Sequence, residues 1–255
     1  MASGIAKGSN ELIKQTVLNP LVRFSPHHKR EGRLLLRTLR KNMNDPEAAF
    51  TIQHMRDKIF FHTGKTKGGK AIGLSGPLGK EGATSLSILL GLTLSELKRN
   101  RVVFIDGRME RRLFALYSEM FGLTKNALNY NNGCGFFQCY NTKNRNLCFL
   151  TPGAAMEPLE IFSNNEFVHL MGDLREAFDY IVFDMPPVLG SSESRMILPY
   201  LDLFFLVCAA GKTTFSEVEK SKKMVGEVGG TISGVLMNRQ KVPFWAWLFG
   251  KDTFF

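Results

Sequence analysis

The strongest constraint on the fold is a regular alternation of short apolar runs with longer stretches of helical pattern. The stretches at 84–98, 167–178 and 216–228 place apolar residues at helical spacing. The apolar runs are residues 71–75, 102–106, 148–150, 180–184, 203–209 and 234–238. Such alternation predicts an α/β domain with a mostly parallel sheet and helices on both faces.

The chain is long enough for one domain with a full hydrophobic core, since it has 255 residues of which 44% are hydrophobic. We expect a flexible basic arm at 1–30, the α/β domain at 31–242 and an aromatic tail at 243–255 that holds both tryptophans. Two helices, at 33–43 and 46–62, are predicted before the first strand. The Asn-, Gly- and Lys-rich segment 126–146 is predicted to be a surface excursion.

The N-terminal segment carries most of the net charge of +10. Residues 1–44 hold nine basic and two acidic residues, a net +7. This segment indicates an anionic partner (acidic lipid, an acidic protein surface or nucleic acid) or else a solubilising arm. The tail indicates an interfacial anchor or a plug for a partner's groove, or else a segment folded on its own core.

No apolar run approaches the ~20 residues of a membrane span, and the N-terminus lacks a secretory pattern, so we expect a cytoplasmic protein. The four cysteines form no CxxC pair. Cys208 lies in an apolar run and is expected in the core. Cys134, Cys139 and Cys148 match no zinc pattern, although three neighbouring thiols can bind a metal.

A glycine-rich turn follows the first apolar run, in the segment Ser75-Gly-Pro-Leu-Gly-Lys-Glu-Gly-Ala-Thr84. A strand, such a turn and a helix N-terminus together form a phosphate cradle, because free backbone N–H groups converge on the anion. The full signature ends in Gly-Lys-[Ser/Thr], but here Gly82-Ala83-Thr84 keeps the hydroxyl and lacks the lysine. The Gly-Lys-Thr tripeptides at 64–66 and 211–213 lack the upstream glycine and are not predicted to bind phosphate.

Two of the later runs end in an aspartate, Asp106 in the second and Asp184 in the fourth. Residues at the carboxyl ends of parallel strands face the crevice where ligands bind. Two such acids beside one glycine turn are typical of sites that hold Mg²⁺ and its waters at a nucleotide, although either alone can be a simple strand-terminating acid.

From about residue 37 to residue 241 the chain resembles the bacterial tyrosine kinases of capsule and exopolysaccharide synthesis. The matching segments, in order, are an arginine-rich helix at 37–42, the loop at 75–84, a second Walker motif at 102–108, a connector at 150–163, a Walker B strand with its Asp-x-Pro-Pro ending at 178–189, and the last strands at 210–214 and 234–239. The resemblance implies a P-loop NTPase-like domain of the MinD and ParA group.

The resemblance also implies site residues and partners. ATP or ADP would contact the loop, Arg108 and Asn238, and the loop residues are Gly79, Lys80, Glu81, Gly82, Ala83, Thr84 and Ser85. Thr84, Asp106 and Asp184 would hold Mg²⁺, with the two aspartates catalytic. Arg37 and Arg40 would serve ring assembly, and hence a homo-oligomer. The implied partner is a chain-length or export protein of the inner membrane, so that the chain would lie at the cytoplasmic face of that membrane.

Four departures from the family pattern all concern kinase chemistry or its assembly. Ala83 replaces the loop lysine, Arg108 stands in place of a second acid, and Leu34 takes the place of the glutamate ahead of Arg37 and Arg40. The fourth departure is that all five tyrosines precede the tail. These losses predict a kinase-like protein without kinase activity.

Three alternatives stay open. A divergent but working tyrosine kinase or ATPase could use Thr84, Asp106 and Asp184. A positioning ATPase of the MinD and ParA group is disfavoured because Leu78 stands where that group has an early lysine. DNA binding through the basic arm is the weakest option. In the kinase-like case, Arg108 with Lys80 could grip a phosphate directly while disfavouring Mg²⁺.

Overall fold

A computed structural model describes residues 56–57, 59, 68–97, 100–109, 111–123, 127–128, 137–152 and 157–239. The basic arm, the residues Arg37 and Arg40, the aromatic tail and Cys134 lie outside these residues. Of the helix predicted at 46–62, the described residues Arg56, Asp57 and Ile59 are helical.

Eight strands of the described residues form one sheet. The strands are β1 Lys70–Ser75, β2 Val102–Asp106, β3 Ala127–Leu128, β4 Phe137–Asn141, β5 Leu147–Pro152, β6 Tyr180–Asp184, β7 Leu203–Ala209 and β8 Gly234–Asn238. Their spatial order is β3-β4-β5-β2-β6-β1-β7-β8. In this order the neighbours from β5 to β8 pair in parallel, and β3-β4 and β4-β5 pair antiparallel. The prediction of a mostly parallel sheet is confirmed.

The helices connect the parallel strands as the alternation predicts. They are α1 Ala83–Glu96, α2 Arg111–Phe121, α3 Pro158–Ser163, α4 Asn165–Ala177, α5 Ser192–Ile197 and α6 Phe215–Glu227, with a short 3₁₀ turn at Leu198–Tyr200. Capping residues fix two of their starts. The Asn164 side chain accepts the Glu166 N–H before α4, and Thr214 with Glu217 forms a capping box before α6.

Alternate residues of the central strands feed two hydrophobic cores, one on each face of the sheet. Val103, Ile181 and Phe183 pack with residues of α4 and α6 on one face. Phe104 and Val182 pack with residues of α1 and α2 on the other. Because both faces are covered, the central strands consist almost entirely of apolar residues until each ends in a polar one.

The segment 126–146, predicted to be a surface excursion, contributes β3 and β4 to the sheet instead. Phe137 and Cys139 of β4 are buried and alternate with half-buried Gln138, as expected of a strand covered on one face. The prediction was wrong for these residues because the polar composition of the segment concealed a five-residue alternation.

In the part of the chain that the structure describes, no helix combines the length and the apolar character needed to cross a membrane.

Candidate functional site

The loop between β1 and α1 forms the backbone arch that the sequence predicts. Gly79 and Gly82 adopt left-handed φ angles of 91° and 95°, which residues with a Cβ rarely adopt. Gly82 is the last residue before α1, and no side chain caps the N-terminus of this helix. The first N–H groups of α1 therefore face the crevice at the carboxyl ends of the strands, where an anion can bind.

Glu81 braces this arch from within. Its carboxylate accepts the N–H groups of Leu78 at 3.0 Å and Gly79 at 2.7 Å, and the residue is only 6% exposed. Gly76 leaves room for the carboxylate, since a Cβ at that position would overlap it. The sequence places Glu81 among the nucleotide contacts, whereas its side chain stabilises the loop itself.

A second set of contacts ties the loop to the segment that follows β6. The backbone N–H groups of Val188 and Leu189 donate to the carbonyls of Gly76 and Pro77, each at 3.0 Å. The Pro187 ring lies so close to Gly79 that a Cβ there would overlap it. The loop and the Asp-x-Pro-Pro segment thus form one rigid unit.

Position 83 offers no positive charge to this loop. Ala83 is the first residue of α1 and is 4% exposed, packed in the core on the α1 and α2 face. The Lys80 side chain is exposed on the loop. Thr84, at 8% exposed, and Ser85 follow in the first turn of α1, so the predicted hydroxyl is at the helix start.

Asp106 and Asp184 are direct neighbours, because they are paired in register at the ends of β2 and β6. Both are enclosed by protein, with Asp106 2% exposed and Asp184 fully buried. The structure therefore brings together the two acids that the sequence singles out, beside the loop that follows β1.

Each aspartate is held by groups of the protein. The Tyr117 hydroxyl of α2 donates to Asp184 Oδ2 at 2.6 Å, and Ser87 Oγ of α1 lies 3.5 Å from Asp184 Oδ1. Asp106 Oδ1 accepts the backbone N–H groups of Arg108 at 3.1 Å and Met109 at 3.0 Å.

Burial, with the neighbouring Asp184 charge, raises the pKa of Asp106 from 3.8 to about 7. The two backbone N–H groups and the Arg108 guanidinium oppose this rise. Burial also raises the pKa of Tyr117 well above its usual value, so Tyr117 remains a hydrogen-bond donor at neutral pH.

Asn238, expected near the base of a nucleotide, lies at the end of β8 beside the loop. Its amide nitrogen donates to the Glu81 carbonyl at 2.7 Å, and its Oδ1 accepts the Arg239 N–H at 2.8 Å. Both polar atoms of the side chain are therefore used within the protein.

Cys139 and Cys148 lie on the same face of the β4-β5 pair, two residue pairs apart in register. Both thiols are free. A hydrogen bond from Cys139 lowers the pKa of Cys148. Within the described residues no three His, Cys, Asp or Glu side chains come together as a metal site. Cys208 is in the core, as predicted.

The sequence analysis did not anticipate Tyr117 or Ser87 as neighbours of Asp184. Ser87 follows the loop by one helical turn, so its proximity could have been inferred from helical spacing. Tyr117 is 67 residues from Asp184 in the chain, and only the packing of α2 on the sheet brings its hydroxyl to the carboxylate.

Comparison with known proteins shows what the chain is similar to. No family model matches the chain. Tyrosine-protein kinase Ptk of Acinetobacter johnsonii is 25% identical over 251 residues, covering 93% of this chain and 33% of the relative. The kinase domain of VpsO is 26% identical, with a TM-score of 0.60 over 81% of this chain and 97% of that domain. The chain is a relative of the bacterial tyrosine-protein kinases.

A further relative and a further solved structure are also tyrosine-protein kinases. Tyrosine-protein kinase CpsD of Streptococcus agalactiae is 25% identical over 162 residues, or 62% of this chain and 70% of CpsD. The kinase domain of Escherichia coli ETK shares the fold with a TM-score of 0.61 at 20% identity over 77% of this chain and 79% of that one. The chain spans one third of the length of Ptk.

The fold extends to proteins outside the kinases. MinD of Aquifex aeolicus has a TM-score of 0.51 at 18% identity, covering 70% of this chain and 72% of MinD. A plasmid partition protein of Borrelia burgdorferi, solved with AMPPNP, has a TM-score of 0.51 at 20% identity, over 69% and 78% of the two chains. The P-loop NTPase-like fold predicted from the sequence is confirmed.

Proposed function

We propose that this chain is a kinase-like component of a capsule or exopolysaccharide assembly system that acts by binding a partner and does not phosphorylate tyrosine. The observation that carries the proposal is Ala83. A phosphate loop is present with its left-handed glycines and its helix start, yet the residue where lysine is required is a methyl group packed in the core.

The expected cost of this replacement is large. One charged hydrogen bond to phosphate contributes about 1.5–3 kcal/mol, so its loss weakens binding roughly ten- to hundred-fold. Removing a group that stabilises transition-state charge typically lowers the rate about 10²- to 10³-fold. Exposed Lys80 can supply charge at the loop surface, but its three-residue offset from position 83 places it outside the first turn of α1.

The first experiment is calorimetric titration of ATP and ADP into the purified protein, with and without Mg²⁺, beside a tyrosine phosphorylation assay. At millimolar nucleotide we expect either no binding or weak binding, and we expect no phosphotyrosine. Mg-dependent binding with a micromolar dissociation constant, together with phosphotyrosine formation, would contradict the proposal.

A matched variant tests the cause. Ala83→Lys combined with Arg108→Asp restores the charges of the family pattern, and we expect it to strengthen ADP binding about tenfold or more. An unchanged affinity would show that position 83 and position 108 do not explain weak binding. Lys222→Gln, at an exposed position in the middle of α6, removes one net positive charge as the double variant does and is the control for altered charge.

A second candidate function is supported by the assembly of Thr84, Asp106 and Asp184 beside one loop. These three residues are the set a divergent tyrosine kinase or ATPase would use for Mg²⁺ and catalysis. Loss of ATP hydrolysis in Asp184→Asn, with hydrolysis present in the wild type, would favour this function over the first.

The proposed partner is a membrane protein that sets polysaccharide chain length or exports the polymer. The support is the kinship with Ptk and CpsD together with the basic residues of 1–44, which include Arg37 and Arg40. The proposed place of action is the cytoplasmic face of the inner membrane. Ring assembly through Arg37 and Arg40 is part of the same proposal.

A further inference from the structure

The donor set around Asp184 does not fit a hydrated magnesium ion. Mg²⁺ requires oxygen ligands in near-octahedral geometry and usually keeps several waters, which need space around the carboxylate. Asp184 is fully buried, and Oδ2 already accepts a 2.6 Å hydrogen bond from Tyr117. The partner of this carboxylate is therefore a neutral hydroxyl group that donates a hydrogen bond, in the place of a metal ion.

We infer that Tyr117 closes the Asp184 carboxylate to divalent cations, so that any anion bound by the loop binds without Mg²⁺. The inference rests on the proposed function, since it explains at a second residue why this kinase-like site lacks metal-dependent chemistry. Tyr117 thus excludes divalent cations because its hydroxyl occupies the position at Asp184 Oδ2 that such an ion would take, and it has no catalytic role.

The Tyr117 ring is fixed in place by aromatic neighbours. Its centroid lies 5.1 Å from that of Phe149, 5.4 Å from that of Phe104 and 6.3 Å from that of Phe121, and the residue is fully buried. Moving the hydroxyl off Asp184 would disturb the three rings packed around Tyr117 in the core, which costs far more than turning a surface side chain. The hydroxyl therefore stays on Oδ2.

The protein also supplies the hydrogen-bond partners of the other carboxylate, Asp106. Asp106 Oδ1 accepts two backbone N–H groups, and the positive charge of the Arg108 guanidinium favours its ionised form. The two groups that Asp106 and Asp184 need, a cation and a hydrogen-bond donor, come from Arg108 and Tyr117. A divalent ion would have to displace both.

The test compares the wild type with Tyr117→Phe, which removes one oxygen and keeps the packed ring. Thermal unfolding is followed with and without millimolar Mn²⁺, a magnesium surrogate. We expect no shift for the wild type. For Tyr117→Phe we expect a rise of about 3 °C at a concentration near ten times the dissociation constant. The rise should vanish when Asp184→Asn is added.

Tyr140→Phe is the matched control, because it removes the hydroxyl that bonds Gln138 at 2.7 Å and leaves Asp184 untouched. It should behave as the wild type. A Tyr117→Phe protein that folds and shows no Mn²⁺ response would overturn the inference.

A second measurement keeps the inference testable if Tyr117→Phe fails to fold. Electron paramagnetic resonance counts Mn²⁺ immobilised by the wild type, with and without ADP. No immobilised ion supports the inference, whereas immobilised Mn²⁺ that is lost in Asp184→Asn overturns it.

The two proposals fail in different ways. Tyrosine phosphorylation without any divalent cation would defeat the proposed function and leave the inference about Tyr117 intact. Mn²⁺ bound at Asp184 in a protein without kinase activity would do the reverse.

Discussion

Asp106 is a carboxyl group whose side chain is enclosed by protein and lies beside a second acid. Burial and the Asp184 charge raise its pKa from 3.8 to about 7. Between these two values the folded protein holds a proton that the unfolded chain releases, so stability falls as the pH rises from about 4 to about 7. A shift of this size corresponds to about 4 kcal/mol. Asp106→Asn removes the charge and keeps the oxygen that accepts the Arg108 and Met109 N–H groups. Urea unfolding should show the variant more stable than the wild type above pH 7, with the difference shrinking toward acid pH. Glu219→Gln, on the exposed side of α6, is the control. A difference between Asp106→Asn and the wild type that does not vary with pH would contradict this assignment. At this scale the sequence predicted which acids meet, because parallel strands align their carboxyl ends. The protonation of Asp106 depends on its burial and on the Asp184 charge beside it, which no sequence pattern encodes.

The β1-α1 loop is the element on which the site depends, and Glu81 is its internal brace. Glu81→Ala removes the acceptor for the Leu78 and Gly79 N–H groups and should lower the free energy of unfolding by about 2–3 kcal/mol. Glu81→Gln keeps one acceptor oxygen and should lose about half as much. Denaturant unfolding measures both, and Glu160→Ala on exposed α3 should change little. Equal stability of Glu81→Ala and the wild type would show that the loop does not need the brace. Most elements followed from the sequence: the apolar runs 102–106, 180–184, 203–209 and 234–238 are strands with the predicted bounds. The first three are buried and therefore nearly continuous in apolar residues. Strands β3 and β4 were missed, since their polar residues weaken the pattern and tertiary pairing decides their conformation. Helix α2 was missed although its apolar residues recur at helical spacing.

At the scale of the whole molecule, most of the net charge lies in the N-terminal part of the sequence. Residues 1–44 carry a net +7 of the total +10, which leaves the remaining 211 residues with +3. If this segment meets an anionic surface, each basic residue near that surface contributes about 1 kcal/mol, and salt screens the attraction. The full chain should therefore co-sediment with vesicles that contain phosphatidylserine, and much less with vesicles of phosphatidylcholine alone. Raising the salt concentration should release it. Arg37→Glu with Arg40→Glu should weaken vesicle binding at least about tenfold, because two attractions become repulsions. Lys222→Glu with Lys223→Glu makes the same change of charge on exposed residues of α6, outside the basic segment, and should leave binding nearly unchanged. Equal losses in the two double variants would mean that net charge alone governs binding, and the basic segment would then have no specific part in reaching the membrane. A larger loss for Arg37→Glu with Arg40→Glu would locate the anionic contact in the basic segment 1–44, the part of the sequence that we propose brings the chain to its membrane partner.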